Sequence, residues 1–331
     1  MAKRILGIDI GSSTLKLALC EGNKILRMAE EHMPDNLVSD GRIISPEAMA
    51  DFLKTAIKKN KLRNRLCAVI LPAAQVFVRQ TELPLMSEDQ LRLNLPYEFR
   101  DYISDERDKY FYDYYVVNVE NDAEGEPAKL ELVAAAARKE LIASYNSICR
   151  WAGMKLVSAI PMEMALVNLI RRSASSSEGE LGEQCFIDLG HTGTRIYFFQ
   201  GERFDAVRTA DRGGAAADGA LAEAMNVDVH IAQSHKEATV EDEPARQALF
   251  EVYREIATDI MRAVNFYNYN NHENELNHGW VCGGGSHAVP LCSEIQDTLH
   301  FQLLPISGMI PGSPDELLSS TCFAAIGAAI Q

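Results

Sequence analysis

The sequence predicts a two-lobed α/β protein in which each lobe opens on a β-hairpin shaped to hold an anion. Three observations carry that expectation. Ile5-Leu6-Gly7-Ile8-Asp9-Ile10-Gly11-Ser12-Ser13-Thr14-Leu15-Lys16-Leu17-Ala18-Leu19 is an apolar run ending in an acid, then a glycine and a hydroxyl-rich turn, then a second apolar run. The same chemistry returns about 180 residues later, a spacing that reads as an internal repeat. There it is Phe186-Ile187-Asp188-Leu189-Gly190-His191-Thr192-Gly193-Thr194-Arg195-Ile196-Tyr197-Phe198. Third, the apolar strand in Gly279-Trp280-Val281-Cys282-Gly283-Gly284-Gly285-Ser286-His287 runs into a triple glycine, with a helix expected to start at Ser286.

In the first hairpin, Asp9 stands at the mouth of the turn. Gly11 lets the backbone approach an anion closely, and Ser12, Ser13 and Thr14 add hydroxyl donors. Lys16 follows the turn, where a phosphate contact and an exposed strand lysine both fit. Strands then lead to a helix over Ser45–Asn60, capped by Ser45 with Pro46 in its first turn. Cys67–Pro72 reads as a buried strand closing residues 1–75.

Residues 76–156 read as an inserted α+β subdomain in the first lobe. Val76–Leu83 alternates like a strand, and a helix follows over Ser87–Tyr102. Strands Tyr112–Glu120 and Lys129–Ala137 flank an acidic turn, and a helix over Lys139–Trp151 completes the unit. A linker is expected at Ser173–Ser177. In the second lobe, residues 181–320, Gly190, Thr192, Gly193 and Thr194 form the matching turn. A helical segment is expected over 205–275, with its long amphipathic part from Glu243 through Tyr267. Gly283, Gly284, Gly285 and Ser286 leave no bulk between backbone and ligand and aim a helix N-terminus at it.

Composition suits two cores, with 331 residues of which 47% are hydrophobic. Lys and Arg total 32 against 47 Asp and Glu, a formal charge of −15. That balance argues against nucleic acid and against adsorption to anionic membranes. Lys3-Arg4 leads straight into the first strand, with no apolar stretch long enough to insert in a membrane, so a cytoplasmic protein is expected. The seven cysteines lack C-x-x-C spacing and fit reduced, mostly buried thiols. His272, Glu273 and His278 look like a solvated helix end rather than a metal site.

In motif order the chain resembles the actin-like ATPase superfamily, a fold of duplicated ribonuclease-H-like domains. The two hairpins correspond to its phosphate-1 and phosphate-2 motifs, and the glycine segment to its adenosine motif. Ala159–Ile170, within residues 157–180, sits where the first interdomain helix is expected. Phe323–Ala329, within 321–331, sits where the second returns to the first lobe. The resemblance implies ATP between the lobes, with Asp9 and Asp188 orienting Mg2+ and its waters. It places Glu163 where relatives position the attacking water, although an acid favoured by a helix N-terminus fits equally.

Within that superfamily the insert resembles the PilM family of type IV pilus assembly proteins, related to the FtsA cell-division proteins. The resemblance rests on Leu93–Ile103, on Tyr112-Asp113-Tyr114-Tyr115-Val116-Val117 and on the pair Gly213-Gly214 after phosphate-2. It implies a cytoplasmic scaffold that binds ATP, hydrolyses it slowly at most, and binds the cytoplasmic tail of a PilN-like inner-membrane protein. Tyr97, Phe99, Tyr102, Tyr112 and Tyr114 are the candidate docking aromatics, about half of which are expected to fill the insert's own core. Two other functions compete. An FtsA-like polymer would self-associate and is expected to carry a membrane helix beyond the last motif, where this chain stops at Gln331. A small-molecule kinase would need an acceptor pocket with a catalytic Asp.

Overall fold

A computed structural model describes residues 2–39, 41–103, 107–122, 124–174, 182–237, 242–271, 276 and 278–330. The first lobe begins with β1 (Arg4–Ile10), β2 (Thr14–Glu21) and β3 (Lys24–His32), the short pair β4 (Val38–Ser39) and β5 (Arg42–Ile43), then α1 (Pro46–Lys59) and β6 (Leu66–Ile70). Ser45 caps α1 as expected, its hydroxyl accepting the Ala48 amide at 3.3 Å. The insert follows as β7 (Val76–Pro84), α2 (Glu88–Asn94), β8 (Tyr110–Asn121) and β9 (Pro127–Arg138). Then come α3 (Lys139–Trp151), β10 (Lys155–Ile160) and α4 (Met162–Ala174).

The second lobe contains β11 (Glu183–Leu189), β12 (Thr194–Gln200), β13 (Arg203–Ala210), α5 (Gly214–Met225), α6 (Val229–Glu237) and α7 (Glu243–Asn270). It ends with β14 (His278–Cys282), α8 (Val289–Leu299), β15 (Gln302–Pro305) and α9 (Glu316–Ala329).

The two five-stranded sheets have one topology, β10-β6-β1-β2-β3 and β15-β14-β11-β12-β13. In each, three strands run antiparallel through the hairpin, and two more join the first strand's other edge in parallel. The lobes are therefore duplicates with an actin-like ATPase architecture.

Four sequence expectations change. The helix from Lys139 does not complete the insert: Tyr145, Ile148 and Cys149 pack into the first lobe's core beside α1. A parallel β6-to-β10 connection needs a helical crossover, and α3 supplies it. The insert's own sheet is β7-β9-β8, with Leu130, Leu132, Ala134 and Ala136 of β9 under α2 and the turn after it. The helix from Ser87 stops at Asn94 and tightens into a single turn over Leu95–Phe99, because Pro96 lacks the amide an α-helix needs there. Residues 205–210 are strand, paired with β12, so the helical segment starts at Gly214. Ser173 is still inside α4, while 175–177 of the expected linker lie outside the described residues.

Between the sheets cross α4 and α9. From Ser319 to Ala329 every residue of α9 is buried. The hydroxyls of Ser319, Ser320 and Thr321 bond back to carbonyls of Asp315, Glu316 and Leu318, which lets polar residues sit in that core. The helices meet where Gly327 lies against the Ala165 carbonyl, and Asn168 Nδ2 donates to the Gly327 carbonyl at 2.9 Å. Small residues at this crossing permit the close approach that sequence reasoning assigned to them.

Candidate functional site: the cleft between the hairpins

Both strand-end acids reach the cleft. Asp9 on β1 is paired in register with Lys16 on β2, and Lys16 Nζ lies 3.7 Å from Asp9 Oδ2. Asp188 on β11 is paired with Arg195 on β12. Burial works against the Lys16 ammonium, yet Asp9, Asp188 and Glu30 outweigh it and hold its pKa above the usual lysine value. Burial pushes the Asp188 carboxyl up, opposed by Lys16 and Arg195 and reinforced by repulsion from Asp9. The two acids and Lys16 thus feel one another across the lobes.

Glu163 stands in the first turn of α4, 5% exposed. Burial pushes its pKa up, against a hydrogen bond from its own backbone and the charge of Arg195. Nearby, Tyr197 is 1% exposed, and its hydroxyl has no hydrogen-bond partner among the described residues. Sequence reasoning passed over Arg195 and Tyr197. The available signal was spacing, since Arg195 follows Asp188 by the same interval that separates Lys16 from Asp9.

The turns are built alike. The Gly11 amide donates to the Thr14 carbonyl at 3.0 Å, and the Gly190 amide to the Gly193 carbonyl at 3.1 Å. Those two amides are engaged in closing the turns, and only Ser12, Ser13 and Thr192 among the predicted turn residues lie between the closing pairs. A Cβ on Gly11 would stand 2.8 Å from the Thr14 carbonyl oxygen, so this glycine is what lets the turn close. Thr194 is fully buried, with its hydroxyl donating to the Arg212 carbonyl at 2.9 Å, and faces away from the cleft.

Gly213 and Gly214 brace the second turn from behind. A Cβ on Gly213 would strike the carbonyls of Gly190 and His191, and the Gly214 amide donates to the Gly190 carbonyl at 3.0 Å. His191 Nδ1 lies 3.9 Å from Oδ2 of the buried Asp218 on α5.

The glycine segment divides into distinct tasks. Gly283 has φ +82°, and a Cβ there would collide with the Asp188 carboxylate. Gly285 presses on Leu189, 2.7 Å from where its own Cβ would stand. Gly284 is exposed with open space beside it, so it is the glycine that presents bare backbone. Ser286 turns its hydroxyl to the Gly283 carbonyl at 2.6 Å, and the segment forms a short turn over Gly284–His287. The expected helix starts later, at Val289, where Pro290 suits a first turn.

A second feature lies at the junction of insert and first lobe. A groove of about 550 Å³ is lined by Phe111, Lys139, Ile142, Ala143, Leu156 and Val157. One wall is β10, the edge strand of the first sheet. Phe111 is 53% exposed, an aromatic that sequence reasoning omitted. Of the aromatics it chose, Tyr97 and Tyr102 are exposed, Phe99 is buried, and Tyr112 and Tyr114 pack partly against the insert's core. All seven cysteines are free, six of them buried. His272 and Glu273 lie outside the described residues. Among the described residues no helix is long and apolar enough to cross a membrane.

No curated protein matches the chain. Among solved structures, one titled PilM-PilN type IV pilus biogenesis complex matches at 23% identity with a TM-score of 0.82, covering 99% of this chain and 98% of that one. The ethanolamine utilization protein EutJ from Carboxydothermus hydrogenoformans matches at 12% identity and TM-score 0.62, covering 99% and 90%. An archaeal actin homolog, Ta0583, matches at 11% identity and TM-score 0.51, covering 99% and 98%. These likenesses establish the actin-like ATPase fold over the whole chain. The family model described as type IV pilus assembly protein PilM matches residues 7–308, and the chain belongs to that family.

Proposed function

We propose that this chain is a nucleotide-responsive scaffold of a type IV pilus or related secretion machine, at most a slow ATPase. One observation carries the nucleotide part: two buried or half-buried acids, Asp9 and Asp188, meet between duplicate glycine turns and feel the same lysine. Hard carboxylates in that position suit a magnesium ion and its waters. The surroundings fit a polyphosphate as well. Gly284 offers bare backbone to the base-and-sugar side, while the buried Tyr197 hydroxyl lacks a partner among the described residues.

In this reading the amides and hydroxyls around Ser12, Ser13 and Thr192 hold the phosphates from both lobes. Asp9 and Asp188 orient the metal, Lys16 offsets phosphate charge, and Gly213 and Gly214 keep the second turn in shape. Magnesium, when bound, screens the phosphates and fixes their geometry. Glu163 accepts a proton from water at its carboxylate, a role for which a pKa raised by burial makes it the stronger base.

The partner is the short cytoplasmic tail of a PilN-like inner-membrane protein, which holds the scaffold at the membrane's inner face. The groove beside Phe111 supports this, because an extended apolar tail can add to the free edge of β10 while filling the groove with side chains.

Thermal melts with and without Mg-ATP test the pocket. Ligand at a hundredfold excess over its Kd raises stability by about 2.7 kcal/mol. That rise is expected for the wild type and absent in Asp9→Ala and Asp188→Ala. An unchanged wild-type midpoint at millimolar nucleotide rules the pocket out. Capture of the tail peptide by wild type, and its loss in Phe111→Asp, tests the groove.

A further inference from the structure

The duplicated hairpins put a base at one register position, yet they treat it differently. Lys16 answers Asp9 at 3.7 Å. Arg195, opposite Asp188, makes no hydrogen bond or ion pair among the described residues. Alternation along β12 places Arg195 on the face that carries Tyr197 and Phe199, which pack in the cluster with α4 and α9. The Tyr197 hydroxyl on that face is also unpartnered, at 1% exposure. Two neighbouring donors on the cleft side of the second lobe thus have hydrogen-bonding capacity in reserve. Both sit close enough to Glu163 and Asp188 for charge to be felt between them.

A guanidinium carries five donors in a rigid fork that matches phosphate oxygens, whereas an ammonium is a compact point charge. An arginine beside Glu163 stands where the water-facing end of a polyphosphate belongs, if Glu163 faces the attacking water. A lysine already engaged by Asp9 serves the phosphates from the other wall.

We propose that Arg195 is a phosphate-positioning residue of the second lobe, engaging the terminal phosphate of a nucleoside triphosphate and making the cleft distinguish triphosphate from diphosphate. This rests on the nucleotide site proposed above. A purely structural Arg195 would offset the buried acids, and its loss would then weaken both nucleotides alike.

Calorimetric titration of the full chain with Mg-ATP and with Mg-ADP separates the two. Wild type binds ATP more tightly than ADP. Arg195→Gln loses about tenfold or more in ATP affinity, the scale of a charge-assisted phosphate contact, and changes ADP affinity by less than about threefold. Arg195→Lys recovers part of the ATP affinity, and a thermal melt of each variant confirms that it is folded. Equal losses for ATP and ADP, or an unchanged ATP affinity in Arg195→Gln, overturn the role while leaving the site intact. A wild type that binds neither nucleotide overturns the site and this role with it.

Discussion

Two sheets of identical topology face the same pair of helices, but they fill the space between in opposite ways. Aligning Asp9 with Asp188 and Lys16 with Arg195 puts Gly7 against Phe186, Ala18 against Tyr197 and Cys20 against Phe199. The first sheet is small at all three positions and the second is aromatic. A Cβ on Gly7 would collide with the Ala325 carbonyl, so α9 lies directly on the first sheet with nothing between. On the second, Phe186 and Phe199 meet edge to face at 5.6 Å, and Phe199 and Phe204 at 5.5 Å, giving a layer of rings beneath α4. A duplicated fold can thus keep its hairpin chemistry while side-chain volume sets how closely a helix docks.

The strongest way to break this comparison is to exchange the volumes. Gly7→Phe gives the first sheet the second sheet's residue and has no room for it. We expect a loss of at least about 3 kcal/mol, the upper range for overpacking, seen as insoluble protein or a collapsed urea midpoint. The converse, Phe186→Ala, leaves a cavity among fully buried rings and should cost about 3–5 kcal/mol. Near-native stability in Gly7→Phe would mean that α9 is free to shift away from its sheet.

The two lobes also differ in what is attached to them. Where the second lobe has only α8 between its parallel strands, the first carries the insert as well as α3. The insert reaches across to the other lobe. Arg203 on β13 donates to Glu131 Oε1 at 3.0 Å, and Gln80 Nε2 donates to the same oxygen at 2.6 Å. Arg171 lies 4.3 Å over the Tyr115 ring and donates to Glu202 at 2.7 Å. A double-mutant cycle on Glu131→Gln and Arg203→Gln should give a coupling of about 1 kcal/mol, because Arg203 is one-third exposed and solvent screens it. Zero coupling would mean that the insert moves independently of the second lobe.

Local chemistry explains what was legible in advance. The hairpins, α1 with its Ser45 cap and the small-residue crossing helices each announce themselves within a dozen residues. Other features depend on contacts distant in sequence. The helix over Lys139–Trp151 is amphipathic wherever it packs, and only the β6-to-β10 crossover assigns it to the first lobe. Likewise Thr194 and Ser286 read as ligand donors until Arg212 and Gly283 are seen to take their hydroxyls. Arg195 lay inside the motif but broke its hydroxyl-and-glycine pattern, so matching the pattern passed over it. Phe111 was hidden because exposure on an edge strand leaves no mark in a run of five aromatics and one acid, Tyr110–Tyr115.

The smallest expected effect concerns the acid between the lobes. Glu163 is buried in α4 with a folded-state pKa above its ordinary value, so the folded protein holds the proton more tightly than the unfolded chain does. Stability contributed by that proton is greatest below the ordinary glutamate value of about 4.3 and falls as pH rises through the folded-state pKa. Glu163→Gln keeps the shape and removes the titration. Without nucleotide, its melting midpoint should therefore lie slightly above wild type near neutral pH, and the gap should close on acidification. Arg195 opposes the burial of Glu163 from the second lobe, whereas Lys16 in the first is engaged with Asp9. In an Arg195→Gln background the gain from Glu163→Gln should grow, and in a Lys16→Gln background it should stay the same. Equal gains in both backgrounds would show that the two bases serve Glu163 alike, and that the asymmetry between the hairpins ends at side-chain volume.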